Sequence, residues 1–400
     1  MQGFFSNEKL DGFAMAACHK CGLYKECESP KIPAQGGRSC GRNILFVGDY
    51  PNQEADEAGI PIAGERRDWL EGVLRDYDVD LDDCDFTNAA ICHSVPKQTV
   101  STWNQIFEYC RPNLLKTIKV CKPKVIIPMG WPALRSLFPD EVSRFGGPLK
   151  KWAGWQIPSQ RYNAWVCLVD DPKEIGKSKI GETLFRATLK AAIGAEGRPL
   201  PKGYAQGQIR GLVDVVLGRD EALARLRNLA KSEGYLAFDY EATGLKLESD
   251  DHAIVCCGFY TGKGRPWACM ITEDLHEALS AVLRNRDLYK IASNLKYEER
   301  ATRAILGHGV ANWYWDTMLA AHYKDNRGGI SSVKFQAFVL MGVPPWDSEI
   351  DKYLEAESPN DHNSVKQCPN KKELLIYCAL DAYLEFKVML WQQRGMNITP

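Results

Sequence analysis

The stretch Phe238-Asp239-Tyr240-Glu241-Ala242-Thr243-Gly244 sets two acids two positions apart among aromatic and small residues. In an extended strand, side chains at i and i+2 share one face, so Asp239 and Glu241 point the same way. Two carboxylates on one face repel unless a cation sits between them. A hard divalent ion with oxygen ligands, such as Mg²⁺, suits that pair. Thr243-Gly244 closes the strand, and glycine there lets a nucleotide approach the backbone. Alone, such a pair also fits a solvated strand surface, so the flanking segments have to decide.

Upstream, VDVVLG (213–218) is short and apolar, and RDEALARLRNLAKSEG (219–234) reads as an amphipathic helix ended by Gly234. Downstream, AIVCCGFYTG (253–262) reads as the next strand. From Glu273 onward the apolar spacing is mostly helical, with a loop-rich gap at about 344–370. IASNLKYEERATRAILG puts Asn294, Lys296, Tyr297 and Glu298 at the start of an amphipathic helix. LLIYCALDAYLEF puts Tyr377 and Asp381 four apart, on the same side of a helix one turn from each other.

Together these segments resemble the DEDD superfamily of 3′→5′ exonucleases, in the subgroup with tyrosine in the last motif. The nearest likeness is to the proofreading domain of family A DNA polymerases. That pattern has a D-x-E strand, an N-x-K-Y-D helix start, a W/F-D-T-M segment and a Y-x-x-x-D helix. All four occur here in order, the third as Trp315-Asp316-Thr317-Met318. The resemblance implies a ribonuclease H-like α/β domain with a mixed sheet over 212–395. It also implies two Mg²⁺ (or Mn²⁺) ions held by Asp239, Glu241, Glu298 and Asp381. One ion, on Asp239, Glu241 and Asp381, would activate the attacking water. The second, roughly 4 Å away and bridged by Asp239, would stabilise the leaving 3′ oxygen. Tyr377 would orient the water, and Asp316 would fix the helix that follows rather than bind metal. Thr243, Asn294 and Lys296 are the expected nucleic-acid contacts. Where the family carries Asp, this chain has Glu298, one methylene longer, and altered metal dependence is expected from it.

The N-terminal half has a different rhythm. NILFVG, VIIPMG and NAWVCLV read as short buried strands separated by amphipathic segments such as RRDWLEGVLRDY, and a helix of roughly 182–193 closes the unit. Such alternation predicts a parallel α/β sheet over 1–195. GAEGRPLPKGYAQGQIRG is rich in Gly, Pro and polar residues and reads as a linker over 196–211. Cys18 and Cys21 form a C-x₂-C pair, and Cys92 and Cys110 lie far downstream. The wide second pair suits a cluster bridging two loops better than zinc knuckles, although zinc, iron–sulfur and plain reduced thiols all remain open from spacing alone. Cys27 or Cys40 could replace one of the four.

Around these cysteines the chain resembles family 4 uracil-DNA glycosylases and their phage-type relatives. CHKCGLY, NILFVGDYP, GIPIAG, TNAAICHSVP and YCRPNLL…CKPKVIIPMG match in order. The resemblance implies a structural [4Fe–4S] cluster on Cys18, Cys21, Cys92 and Cys110. The active-site motifs depart from the family. Its catalytic-loop acid is Ala55 here, with Glu54 next to it, and the aromatic that stacks on a flipped uracil is Ile62. The His of its His-Pro motif is Asp171, before Pro172. Only Asn88, which would read the base edge, is kept. A carboxylate facing a developing anion raises the barrier, so this half is expected to bind DNA rather than excise uracil. Arg66, Arg67, Lys97, Lys150 and Lys151 with Trp152 are candidate contacts to phosphates and bases, solvated surface being the even alternative.

A net charge of −1 over 400 residues gives no overall pull toward nucleic acid, so DNA binding has to come from local basic surface or metal ions. No apolar run reaches roughly eighteen residues and no secretory signal pattern opens the chain. Its 14 cysteines are spread along its length, and a reducing bacterial or phage-infected cytoplasm with no membrane contact is expected. The expected partners are DNA 3′ ends, particularly single-stranded ones, and a DNA polymerase, as a separate subunit or a following domain. Two other readings are a repair enzyme with both activities live and a replisome-binding protein with neither.

Overall fold

The structure is a computed structural model that describes residues 17–36, 41–93, 100–172, 179–201, 208–246, 252–346, 349–358 and 361–396. The chain divides into two compact units, Met1–Gly203 and Tyr204–Pro400. Each is built on an α/β plan.

In the first unit, β1 (Ile44–Gly48), β2 (Asp85–Asn88), β3 (Val125–Pro128), β4 (Gln156–Ser159) and β5 (Ala164–Cys167) form one sheet in the order β2-β1-β3-β5-β4. Pairs β1–β2, β1–β3 and β3–β5 are parallel, and β4 runs antiparallel to β5. The parallel strands β1 and β3 are buried along their whole length, as continuous apolar runs should be in a sheet covered on both faces. The closing helix spans Lys179–Ile193 and buries Phe185, Leu189 and Ala192. The segment read as a linker is held at both ends. Glu196 takes the Arg42 guanidinium and the Asn43 N–H, Arg198 lies over the Trp165 ring, and Ile209 is buried in the core of the second unit.

The second unit carries β6 (Asp214–Val216), β7 (Gly234–Ala242), β8 (Ile254–Tyr260), β9 (Trp267–Met270), β10 (Leu288–Ala292) and β11 (Trp313–Asp316), in the order β11-β10-β7-β8-β9-β6. Strand β7 pairs antiparallel with β8 and parallel with β10, so the sheet is mixed. Two strands, β10 and β11, fall inside the region that reads as mostly helical. They are four- or five-residue parallel strands, too short to show a period. The helix before β7 spans Arg219–Leu229 and stops at Ala230, not at Gly234. That glycine instead opens β7 at φ +102°.

One sheet face is covered by the helices Arg219–Leu229 and His276–Arg284, the other by Val333–Met341 and Lys371–Gly395. The last helix begins at Asn370, whose side chain caps the Glu373 N–H at 3.2 Å. It is buried nearly all round, so it lies inside the unit, against the sheet. Its approach is set by one residue. Gly258 sits opposite Asp239 in the β7–β8 ladder, and a Cβ there would lie 2.2 Å from the Cys378 carbonyl oxygen. The missing side chain lets the Asp381 helix pack directly over the acidic strand.

Candidate functional site

Asp239 and Glu241 point to one face of β7, and the Lys371–Gly395 helix crosses that face. One carboxylate oxygen each of Asp239 and Glu241 and the Cys378 sulfur lie within 4.8 Å of one another. Cys378 donates to the Asp239 carbonyl oxygen at 3.4 Å. Burial pushes its thiol pKa well up, so it stays protonated and acts as a spacer. Asp381, one turn on, accepts the Trp346 indole N–H at 3.2 Å. Tyr377 is hydrogen-bonded to Asp381, and its hydroxyl oxygen accepts Lys334 Nζ at 2.7 Å, the ammonium also lying 4.7 Å from the Tyr377 ring centre.

Glu298 enters from the turn after β10. Asn294 is left-handed there (φ +63°), a conformation Asn tolerates. The Asp316 carboxylate accepts the N–H groups of Asn294 and Leu295 at 3.0 and 3.1 Å, and also caps Met318 and Leu319. Asp316 thus fixes two helix starts, and Glu298 is turned inward, 2 % exposed. The helix widens to a π-turn over Thr302–Leu306, where Thr302 hydrogen-bonds the Glu298 carbonyl oxygen and the Tyr240 hydroxyl.

Asp381 and Glu298 approach the Asp239–Glu241 pair closely enough that the charge of Asp381 acts on Asp239 and that of Asp239 on Glu298, although among the described residues neither joins a group of three donor atoms within 4.8 Å. Burial first, and then a facing carboxylate (Asp381 for Asp239, Asp239 for Glu241 and Glu298), holds three of these carboxyls well above the usual range. Lys334 opposes this at Asp239 and Glu241. With one oxygen of each within 4.8 Å, the Asp239 and Glu241 charges repel by about 3–4 kcal/mol at an effective dielectric of roughly 20. A donor set of hard oxygens under mutual repulsion fits divalent cations of the Mg²⁺ or Mn²⁺ kind.

The sign of the pH effect follows. Without metal, the folded protein binds these protons more tightly than the unfolded chain, so the stability these three groups contribute is fully present at low pH. It falls as pH rises from about 4, the unfolded carboxylate range, through the raised folded values. In EDTA the melting temperature is expected to fall between about pH 5 and 8, and saturating Mg²⁺ to flatten that slope. A metal-free melting temperature that rises over this window would contradict the arrangement.

Other predicted contacts fare differently. Lys296 is exposed at the helix start. Thr243 is 1 % exposed, and its hydroxyl is engaged by His252 Nδ1 at 3.0 Å and Ala253 N–H at 2.9 Å. The space left by the missing side chain of Gly244 is taken by His252 and the Asp361 carbonyl, so that glycine admits a neighbouring loop and not a nucleotide. Lys334, Trp346 and Glu385 also reach the site; the sequence carries no sign of this beyond the spacing of four between Asp381 and Glu385.

In the first unit Cys18, Cys21, Cys92 and Cys110 line one cavity together with Leu23, Ile91 and Ile106. Lys31 N–H points at Cys92 Sγ (3.3 Å), and Ile91 N–H (3.4 Å) and Asn113 Nδ2 (3.5 Å) point at Cys110 Sγ. Burial pushes Cys92 up to about 12 and Cys110 to about 11, so unliganded they are neutral thiols. Among the described residues no three of these sulfurs lie within 4.8 Å of one another. A single zinc with Zn–S of about 2.3 Å needs them closer, whereas N–H donors aimed at widely set thiolates fit an iron–sulfur cluster. Cys27 lies beside Cys92, and Cys40 is outside the described residues.

A second cavity in this unit is lined by Asp49, Tyr50, Ile62, Arg66, Asn88 and Asp171. Asn88 Nδ2 donates to the Pro61 carbonyl at 2.7 Å, and Arg66 pairs with Asp49 at 3.4 Å. Arg67 is held by Glu71 and Asp82, each at 2.6 Å. Lys151 and Trp152 are buried, bonding the Phe145 and Gly146 carbonyls, and so are not surface contacts; Lys150 is exposed and Lys97 lies outside the described residues.

Residues 37–191 match the model of the uracil DNA glycosylase superfamily. The chain is 30% identical over 120 residues to the type-4 uracil-DNA glycosylase of Pyrobaculum aerophilum, covering 30% of this chain and 59% of that protein. It is 27% identical over 133 residues to the type-4 enzyme of Archaeoglobus fulgidus, covering 33% and 64%. The chain thus spans less than two thirds of these relatives. Among solved structures it is similar to Escherichia coli RNase D, an exoribonuclease (TM-score 0.32, 15% identity, 46% of this chain and 45% of that chain). It is also similar to the Aedes aegypti Nibbler EXO domain (TM-score 0.33, 14% identity, 48% and 92%). No helix among the described residues is long and apolar enough to cross a membrane.

Proposed function

We propose that the second unit is a divalent-metal-dependent 3′→5′ DNA exonuclease of the proofreading kind, acting in replication with a DNA polymerase, and that the first unit is a non-excising DNA-binding module. The observation that carries the first half is the convergence of Asp239, Glu241, Glu298 and Asp381 from three chain segments into one buried place beside Lys334 and Tyr377. Bound there, two divalent ions would supply a nucleophilic hydroxide at neutral pH and neutralise charge on the leaving 3′ oxygen. The four carboxylates would hold the ions. Tyr377, whose phenol burial keeps protonated, would orient the attacking water, and Lys334 would fix Tyr377. Exposed Lys296 would meet a phosphate. The reading is tested by release of 3′ label from single-stranded DNA with and without Mg²⁺. Absence of any metal-dependent release sinks it.

In the first unit, Cys18, Cys21, Cys92 and Cys110 would hold a [4Fe–4S] cluster that ties Cys18–Cys21 to the loop after β2 and to the Val100–Cys121 helix. The cavity holding Asn88 has an aliphatic Ile62 where a stacking ring is needed and the acid Asp171 where charge would have to be stabilised. Uracil-containing DNA treated with the protein and then alkali is expected to stay intact. Breaks at uracil would favour the bifunctional reading instead.

A further inference from the structure

Glu385 lies four residues beyond Asp381, on the same side of the Lys371–Gly395 helix, and is 2 % exposed. One of its oxygens accepts the Ser293 N–H at 3.0 Å, which ties it to the turn that delivers Glu298. The other is buried with no hydrogen-bond partner, and so is one carboxylate oxygen of Glu298. The charges acting on Glu385 are those of Asp239, Glu298 and Asp381. A buried carboxylate oxygen left unpaired costs far more than an ordinary unmade hydrogen bond, so two of them, both acted on by the charge of Asp239, call for a cation.

We propose that Glu385 is a fifth acidic ligand of this site and holds the second divalent ion jointly with Glu298. The inference rests on the exonuclease reading of the site and extends it. Glu298 is one methylene longer than the aspartate its motif usually carries, so it can place the ion deeper, toward Glu385.

The test is Mn²⁺ binding to the EDTA-stripped full chain, read by the loss of free-Mn²⁺ electron paramagnetic resonance signal, with thermal melting as a check on folding. Glu385→Gln keeps the acceptor for Ser293 N–H and removes the charge. Wild type is expected to bind two ions. Glu385→Gln and Glu298→Gln are each expected to keep the first and weaken the second by roughly 10–100-fold. The double variant should lose no further ion. Two unweakened ions in Glu385→Gln overturn the proposal while leaving the exonuclease reading intact. Equal weakening of both ions, with a lowered melting temperature in EDTA, makes Glu385 a structural residue and also overturns it. A wild type that binds no Mn²⁺ overturns the exonuclease reading beneath it. Should Glu385→Gln not fold, Glu385→Asp, which withdraws the oxygen but keeps the charge, decides the same question by the same second-ion readout.

Discussion

Asp239→Asn is expected to abolish Mg²⁺-dependent release of 3′ nucleotides while leaving the protein folded. Asp239 is the one acid whose charge acts on Glu241, Glu298 and Glu385 alike, so it is the shared centre of the site. Asn has the same shape but lacks the charge that would bridge both ions. Electrostatic stabilisation by the ions is worth several kcal/mol, and each ~1.4 kcal/mol is tenfold in rate, so a loss of roughly 10³-fold or more in kcat is expected. The same substitution removes one repelling charge from the metal-free site, so in EDTA near neutral pH the variant should melt higher than wild type. The two readouts move in opposite directions, which separates a lost active site from a lost fold. Undiminished digestion by Asp239→Asn would show that the chemistry lies elsewhere. A lower melting temperature in EDTA would show that the carboxylates are not in conflict.

Much of this site was legible because its chemistry imposes a spacing. Two acids on one strand face need a period of two, and Tyr377 and Asp381 need a helical four, so both pairs stand out in a single chain. Glu385 has the same helical spacing from Asp381, but an acid in a helix is ordinarily solvated, and only its burial against the Ser293 turn sets it apart. Lys334 and Trp346 come from segments far from any motif and meet the site only through tertiary packing. Lys151 and Trp152 failed in the opposite sense. A Lys-Lys-Trp run suggests an exposed nucleic-acid surface, but here Lys151 finds a backbone carbonyl for its ammonium and goes inside. Gly244 was read for its freedom to admit a ligand, and the fold used that freedom to bring in His252 and the Asp361 backbone. Strands β10 and β11 were hidden because strands of five and four residues are too short to carry a legible period.

Gly258 lies in a strand outside every motif, yet the site depends on it, and its substitution should have the largest effect of any change outside the acids. A Cβ at that position would stand 2.2 Å from the Cys378 oxygen, 2.6 Å from its carbonyl carbon and 3.0 Å from Ala379 Cα. These are backbone atoms of a helix whose neighbouring residues are all buried, so no flexible side chain can give way. Either β8 or the helix has to move. Overpacking of this kind costs about 1–3 kcal/mol, and a backbone clash belongs at or above the upper end. The functional cost is separate. The helix that would be pushed off carries Tyr377, Asp381 and Glu385, and a displacement of about 1 Å in a catalytic constellation is worth roughly 10²-fold in rate. Gly258→Ala is therefore expected to lower stability by about 3 kcal/mol in chemical denaturation and to cut exonuclease activity roughly 10²-fold at temperatures where it is still folded. Gly328→Ala, where an added Cβ meets nothing within 4 Å, is the control and should change stability by no more than about 0.5 kcal/mol. If Gly258→Ala matched Gly328→Ala in both measurements, the close approach of helix to acidic strand would not be what positions Asp381.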